Sequence, residues 1–283
     1  TADQDGISDC NSTVTTRAVA SPPESTVTVS QTDDGTSSAA TGEANSSTVI
    51  QDNVNGFGAS GTGSTVSVTQ AHNAAGAGQN SSFVQQGRNA VSGQVTVDQM
   101  GGENVSTYSS FTSTDNDAVI TQTGVNNVSD VQQDFQNGGA LAQVTQTNSV
   151  GDRANSATID QISTGYAPPP PEEFAVAARA EIAQDGQGNS SSISQTGFSE
   201  SVMTANVASN SQIGDDLFSE IVQSGINNTA TVTQTGVDND SYLTQSGDDN
   251  TATITQDGSM NLSRVTQSGD GNIATVTQNG GGI

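Results

Sequence analysis

The sequence is poor in the residues from which an ordinary hydrophobic core is built. Only 30% of its 283 residues are apolar, 4% are aromatic and none is tryptophan. A globular domain of this length normally has about 45–50% apolar residues. The composition therefore excludes a single large hydrophobic core. It leaves either a disordered chain or a fold in which repeated units bury one another.

Cationic residues and cysteines are also scarce. Five Lys and Arg residues face 30 Asp and Glu residues, which gives a formal net charge of −25. A surface this acidic repels nucleic acids and anionic membranes, so we expect neither as a partner. The single cysteine, Cys10, cannot form an internal disulfide, and we interpret it as an incidental thiol.

Long apolar runs and catalytic motifs are missing as well. Without an apolar run of 18 residues we expect no membrane insertion. The opening Thr1-Ala2-Asp3 is not a signal peptide, so we expect a mature secreted chain with its signal peptide removed. His72, the only histidine, has no ligand set around it, and no nucleophile triad or phosphate loop appears. We expect no enzyme and no cofactor, beyond non-specific divalent cations at acidic turns.

What the sequence has instead is an 11-residue repeat. Glutamines recur at a spacing of 11 near the C-terminus: Gln223, Gln234, Gln245, Gln256, Gln267 and Gln278. Asparagines stand six residues before the last five of them: Asn228, Asn239, Asn250, Asn261 and Asn272. Glycines stand three residues before each asparagine: Gly225, Gly236, Gly247, Gly258 and Gly269. Glycine followed by Asp or Asn favours a tight turn, so each unit is predicted to be a strand and a turn.

Alternation within the unit predicts what its strand buries. Asn272, Ala274, Val276 and Gln278 stand at every second position and therefore share one face of a strand. One small residue, one branched aliphatic and two amides suit a thin interior. When strands stack at about 4.8 Å, identical amides lie over one another and can form hydrogen-bonded ladders.

A second regularity sets the true period at 22 residues. The small inward position alternates along the C-terminal units: Ser219, Ala230, Ser241, Ala252, Ser263 and Ala274. Two strands with different interiors thus make one coil. Twelve further terminal glutamines stand upstream: Gln31, Gln51, Gln70, Gln86, Gln99, Gln122, Gln133, Gln146, Gln161, Gln184, Gln195 and Gln212. Eighteen glutamines predict nine coils, of which the first joins Gln31 to Gln51 and the third joins Gln99 to Gln122.

The alternation fails at several upstream positions under this pairing. Strands expected to hold serine have another residue at Val27, Val66, Val95 and Ala157, and strands expected to hold alanine have Ser47 and Ser82. We predict a flexible segment at 1–24, a solenoid at 25–278 with a loop insertion around 162–177, and a tail at 279–283. Pro168-Pro169-Pro170-Pro171 within the insertion cannot donate ladder hydrogen bonds.

The motif S-x3-Q-x-G-x2-N-x-A-x3-Q resembles the curlin repeat of curli subunits. It stands here as Ser219, Gln223, Gly225, Asn228, Ala230 and Gln234, and it recurs from Ser241 and from Ser263. The resemblance extends, with gaps, over residues 25–278. It implies a left-handed β-solenoid subunit that is exported through an outer-membrane pore of a Gram-negative-type bacterium. It also implies a nucleator subunit and head-to-tail polymerisation into a cell-surface fibre.

Three functions are compatible with these observations. An all-β, two-strand-per-coil solenoid with an uncapped last coil predicts a stacked cross-β fibre subunit for biofilm matrix, adhesion and cell aggregation. Rows of threonine, as in Thr251, Thr253 and Thr255, are also typical of a monomeric surface-binding solenoid, either ice-binding or an adhesin. A disordered matrix polymer is the third alternative, although disorder does not require an 11-residue register.

Overall fold

The computed structural model describes residues 2–5, 11–18, 26–33, 45–53, 64–72, 79–87, 93–111, 116–134, 140–148, 153–163, 178–197 and 206–280. These residues form strands and turns. The strands are β1 (Ala2–Asp5), β2 (Asn11–Ala18), β3 (Thr26–Asp33), β4 (Ser46–Asn53), β5 (Thr65–His72), β6 (Ser81–Gln86), β7 (Gln94–Gly102), β8 (Val105–Phe111), β9 (Asp117–Val125), β10 (Val128–Asp134), β11 (Leu141–Asn148), β12 (Ser156–Ser163), β13 (Arg179–Asp185), β14 (Ser190–Gly197), β15 (Val207–Asp215), β16 (Phe218–Ser224), β17 (Thr229–Val237), β18 (Asp240–Ser246), β19 (Thr251–Ser259), β20 (Leu262–Ser268) and β21 (Ile273–Gly280).

The strands form two parallel sheets that share one interior. Odd-numbered strands make an 11-stranded sheet, called sheet A here, and even-numbered strands make a 10-stranded sheet, sheet B. Each strand pairs in parallel with the strand two places along the chain. Because the chain changes sheet after every strand, the fold is an all-β solenoid with two strands per coil, as the sequence predicts.

The two-residue periodicity decides which side chains are inside. In β17, Ala230, Val232 and Gln234 are buried, whereas the threonines between them are partly exposed. Threonine and valine favour extended backbone, so one sequence pattern both forms the strand and sorts its faces. Burial of each valine or isoleucine contributes about 1.5–3 kcal/mol. With so few aliphatics per coil, the amides must fill and satisfy the rest of the interior.

The prediction of nine coils is wrong because it misses β8. This strand lies in register between β6 and β10, and it places Ser110 where its neighbours have Gln86 and Gln133. Counting glutamines therefore skipped one strand of sheet B, which has ten. Asn104, six residues before Ser110, was the signal in the sequence that could have revealed the strand.

Because β8 was missed, the strands before it were also grouped into the wrong coils. Gln99 and Gln122 were expected in one coil, but they are neighbours within sheet A. Most of the irregular positions then become regular. The valines at 27, 66 and 95 lie in the same column of sheet A as Ala118, and the serines at 47 and 82 lie in the column of sheet B that contains Ser106. Ala157 still departs from the serine column.

Strands also occur within residues 1–24, which we expected to be flexible and outside the repeats. β1 pairs with β3, with Gln4 in register with Gln31, and β2 pairs with β4. Thr16 takes the glutamine position of β2, so the glutamine pattern could not identify this strand. Cys10, the four prolines and the 279–283 tail beyond Gly280 lie outside the described residues, and His72 is the last residue of β5.

Tyr108 compensates for the missing glutamine of β8. It occupies the aliphatic position between Val84 and Val131 and is fully buried. Its hydroxyl donates to Oε1 of Gln133 at 3.0 Å, a bond that glutamine provides elsewhere in the column. Burial raises the pKa of the Tyr108 hydroxyl, so it stays protonated and able to donate. Tyrosine and serine together thus replace an aliphatic residue and a glutamine.

This replacement predicts strong coupling between positions 108 and 110. Tyr108→Val should lower the free energy of unfolding by about 2–4 kcal/mol, because it leaves a cavity and an unpaired Gln133 amide. Adding Ser110→Gln should recover most of that loss by restoring a regular rung. Urea denaturation of the two single variants and the double variant measures the coupling. Additive effects of the two substitutions would contradict the replacement.

Candidate functional site

An unbroken column of glutamine amides runs through sheet A. Each side chain donates an Nε2–H to Oε1 of the glutamine in the next coil, at 2.7–2.9 Å. The members in chain order are Gln31, Gln70, Gln99, Gln122, Gln146, Gln184, Gln212, Gln234, Gln256 and Gln278. All the donors point toward the C-terminal end of the stack.

Sheet B has the same column in two runs. Gln51 donates to Gln86 at 2.9 Å, and β8 then interrupts the series. The second run joins Gln133, Gln161, Gln195, Gln223, Gln245 and Gln267 at 2.8–2.9 Å. The direction of donation is the same as in sheet A. Both columns therefore have one polarity along the solenoid.

The remaining N–H of each glutamine ties the two sheets together. In sheet A, Gln234 Nε2 also contacts the backbone carbonyls of Phe218 and Asn239, at 2.9 and 3.0 Å. These carbonyls lie at the starts of sheet B strands β16 and β18. A buried polar group without a partner costs about 1–3 kcal/mol, and the ladder avoids this cost at each rung. The amides thus act as the cross-links of a core that has few apolar residues.

Asparagine amides form a second set of columns with the opposite polarity. Asn250 donates its Nδ2–H to Oδ1 of Asn228 at 3.0 Å, and Asn272 donates to Asn250 at 2.9 Å. In sheet B, Asn261 donates to Asn239 at 3.0 Å. The same Oδ1 atoms accept the backbone N–H of the next asparagine. The bonds between asparagines therefore run toward the N-terminal end, whereas the bonds between glutamines run away from it. Asn228 and Asn250 also donate to the carbonyls of Gly247 and Gly269 in the following coil, at 2.8 Å.

The turn glycines allow the coils to stack closely. All five predicted glycines have φ between +95° and +116°, in the left-handed region that glycine adopts without strain. A Cβ on Gly225 would overlap the carbonyl oxygen of Gly247, and one on Gly236 would overlap that of Gly258. Glycine is therefore required both by the backbone conformation and by the neighbouring turn.

Sequence reasoning missed a structural role of the carboxylates. Several acidic residues accept a backbone N–H from the preceding coil at 2.9–3.2 Å. These acceptors are Asp117, Asp134, Asp215, Asp248 and Asp270. In the turns, the sequence contained a signal for this role. An acid follows a terminal glutamine after two or three residues, as in Gln245-Ser246-Gly247-Asp248.

One end of the stack is open along both sheets. Among the described strands, β21 ends sheet A and β20 ends sheet B. Ile273 is 81% exposed and Leu262 is 61% exposed. Asn228 and Asn250 each accept two bonds from the next coil, whereas no described coil follows Asn272. Gln278 donates to the Leu262 carbonyl at 2.9 Å and accepts from Gln256 at 2.8 Å, and no described glutamine follows it in the column.

Asp160 is a carboxylate on the outer face of sheet B whose ionised form destabilises the folded protein. Partial burial raises the pKa of Asp160, and the charges of Asp134 and Asp130 raise it further. Burial also raises the pKa of Asp130. Among the described residues, no donor reaches the buried Oδ1 of Asp160. The ionised form of this side chain is therefore poorly stabilised in the folded protein.

Two negative findings apply to the part of the chain that the structure describes. Its His, Cys, Asp and Glu residues nowhere gather in a group of three or more that could hold a metal ion. Its residues also contain no helix of the length and apolarity that a membrane crossing needs.

The glutamine ladder predicts a position-dependent loss of stability. Gln234→Leu should lower the free energy of unfolding by more than about 2 kcal/mol, because it leaves the Gln212 donor and the Gln256 acceptor without their partners in the ladder. The matched variant Gln278→Leu, at the open end, should cost clearly less. Urea denaturation at equal protein concentration measures both. Equal losses at the two positions would show that the interior ladder adds no stability.

The raised pKa of Asp160 predicts a pH-dependent gain from neutralising it. The folded-state pKa of Asp160 lies above the ordinary value of about 3.9, so the ionised side chain destabilises the folded protein. This loss of stability develops as pH rises through the folded-state pKa. Asp160→Asn should therefore raise the free energy of unfolding at pH 7, and the gain should shrink toward zero near about pH 3.5. Glu220→Gln, at an exposed carboxylate of the same face, is the control and should change little. A gain independent of pH would contradict the electrostatic cause.

Comparison with known protein families identifies the repeat. The family model of the curlin associated repeat matches residues 214–247 and 247–280. Together these segments contain β16 to β21, with the open edge and the most regular part of both ladders. No curated protein matches the chain. The glutamine and asparagine columns of this region are thus features of a recognised repeat, and residues 214–280 contain two matches to the curlin associated repeat.

Proposed function

We propose that the protein is a structural subunit of an extracellular amyloid-type fibre in which copies stack head to tail along the solenoid axis. The observation that carries the proposal is the end of the stack at β20 and β21, where both sheets end among the described strands and Leu262 and Ile273 are exposed. Unpaired strand edges are templates for further strands. A second copy that docks there would add strands to both sheets.

Ladder polarity favours head-to-tail joints over other arrangements. The C-terminal end offers glutamine N–H groups and asparagine carbonyls, because the two sets of amides donate in opposite directions. At the other end of each column the roles are reversed, so glutamines offer acceptors and asparagines offer donors that are complementary to these groups. Two C-terminal ends in contact would instead pair the edge strands antiparallel, so the parallel in-register ladders would stop at the joint. Stacking in one direction satisfies the amides that a joint would otherwise bury unpaired.

Net charge opposes stacking, but the positions of the acids reduce its effect. Asp248, Asp249 and Asp270 lie in turns at the rim of the solenoid, where water and salt screen them. Some of these carboxylates also accept hydrogen bonds between coils, which offsets part of the repulsion. The interior that a joint buries consists of neutral amides and aliphatics.

We base the proposed cellular setting on the two matched curlin associated repeats. Curlin repeats in this chain support a place in a cell-surface fibre of a Gram-negative-type bacterium, with roles in biofilm matrix, adhesion and cell aggregation. On the same basis we propose a nucleator subunit and an outer-membrane secretion pore as partners. The role is structural rather than enzymatic, and any divalent cations bind non-specifically at the acidic turns.

A proline at the open edge is designed to block joints while sparing the subunit. The Asn272 carbonyl accepts the Thr251 N–H, so residue 272 points its backbone groups toward β19. Successive residues of a parallel strand alternate between its two neighbours, and the N–H of Thr275 therefore points away from β19. Proline at 275 removes a donor that only an added strand would use.

The proposal predicts fibres from the purified chain and their loss in Thr275→Pro. Unmodified protein should form unbranched filaments with a meridional X-ray reflection at about 4.7–4.8 Å. Thr275→Pro should remain folded by circular dichroism but form few filaments in electron micrographs. Thr275→Val, which removes the hydroxyl and keeps the N–H, is the matched control and should assemble normally. Persistent strand-rich monomers of the unmodified chain would overturn the proposal.

A further inference from the structure

The outer surface of sheet A has an unusual patch toward the C-terminus. We define the sheet A face as the three outward residues between the buried positions of β11, β13, β15, β17, β19 and β21, as Thr229, Thr231 and Thr233 are in β17. These side chains are partly or fully exposed in every one of the six strands. No part of the described chain packs over them as another layer, since the sheets of the solenoid are two.

The sheet A face is regular in the direction of the stack. Threonines of β17, β19 and β21 lie in register, so that Thr231, Thr253 and Thr275 form one row and Thr233, Thr255 and Thr277 form another. Neighbours in a row are separated by about 4.8 Å, the spacing of parallel strands. Two such rows can interdigitate with rows from a facing sheet, as in a steric zipper.

The sheet A face carries no net charge, although the chain carries −25. Its charged residues are Arg179 and Glu181, which form an ion pair at 3.3 Å. The same length of sheet B, from β10 to β20, presents Asp130, Asp160, Glu220 and Asp240 against Arg264. The acids of the turns lie at the rims. A second acidic copy can therefore approach most closely over the sheet A face, with the carboxylates of both copies kept apart.

The exposed apolar side chains and the area of the sheet A face also favour a second copy of the chain as its binding partner. Ile273 is 81% exposed and Ile213 is 51% exposed, and both project from sheet A strands. Six strands of seven residues cover about 24 by 20 Å, or roughly 500 Å² per copy. Stable pairs bury about 800 Å² per partner, so one subunit alone is too small and a stack of subunits is large enough.

From these observations we propose that fibres of this protein contain two solenoids, paired side by side through their sheet A faces. The inference rests on the proposed function, because the area becomes sufficient only when subunits stack. Charge, flatness and in-register threonines define the pairing surface. Sheet B and the acidic turns remain at the outside of the pair.

Mass per length, measured by scanning transmission electron microscopy, tests the pairing. A single solenoid contains one chain of 28.5 kDa per height of about 48 Å, since ten coils are spaced by about 4.8 Å. Unmodified fibres should show twice that mass per length. Fibres at the single-solenoid value would overturn the inference and leave the proposed function standing. Absence of fibres would overturn both.

Charge substitutions identify the face involved. Thr253→Glu and Thr253→Lys each place a charge at the centre of the sheet A face, and both should halve the mass per length because pairing would bury the charge. Thr244→Glu and Thr244→Lys place the same charges on the outside of sheet B and should leave the doubled value unchanged. Halving by the Thr244 variants and not by the Thr253 variants would show that the solenoids pair through another face.

Discussion

The hydrogen bond from one glutamine amide to the next is the interaction on which the rest of the structure depends. It joins successive coils of sheet A at 2.7–2.9 Å from Gln31 in β3 to Gln278 in β21, and the second amide proton joins sheet A to sheet B. A chain with 30% apolar residues could not be held together by hydrophobic burial alone. Because each amide needs a neighbour directly above it, this interaction also enforces parallel, in-register strands.

The same requirement explains how much the sequence could predict. The glutamine spacing defined most strands, their inward faces and the two-strand coil, because the ladder repeats one residue type at one position. It could not reveal β8 or β2, where Tyr108 with Ser110 and Thr16 take the place of the usual residues. At β8 the substitution supplies an equivalent hydrogen bond, from Tyr108 to Gln133, and so satisfies the structure while it removes the pattern.

The roles of the acids could not be predicted for a different reason. Whether a turn carboxylate is solvated or accepts an N–H depends on the positions of two coils relative to each other, and no single repeat contains that information. Asp248, for example, accepts from Ile226 in the preceding coil and donates its own N–H to Asp270 in the next. The destabilisation at Asp160 likewise arises from its partial burial together with the charges of Asp134 and Asp130 on a neighbouring strand.

The opposed directions of the two amide columns have an electrostatic consequence. In an α-helix the peptide dipoles add, and the ends acquire partial charges. Here the side-chain dipoles of glutamine and asparagine oppose each other within each coil, and the backbone dipoles of a sheet nearly cancel. The stack therefore accumulates no large axial dipole as coils are added. Its end groups remain the same for any number of coils, so the electrostatics of adding a coil do not change with length.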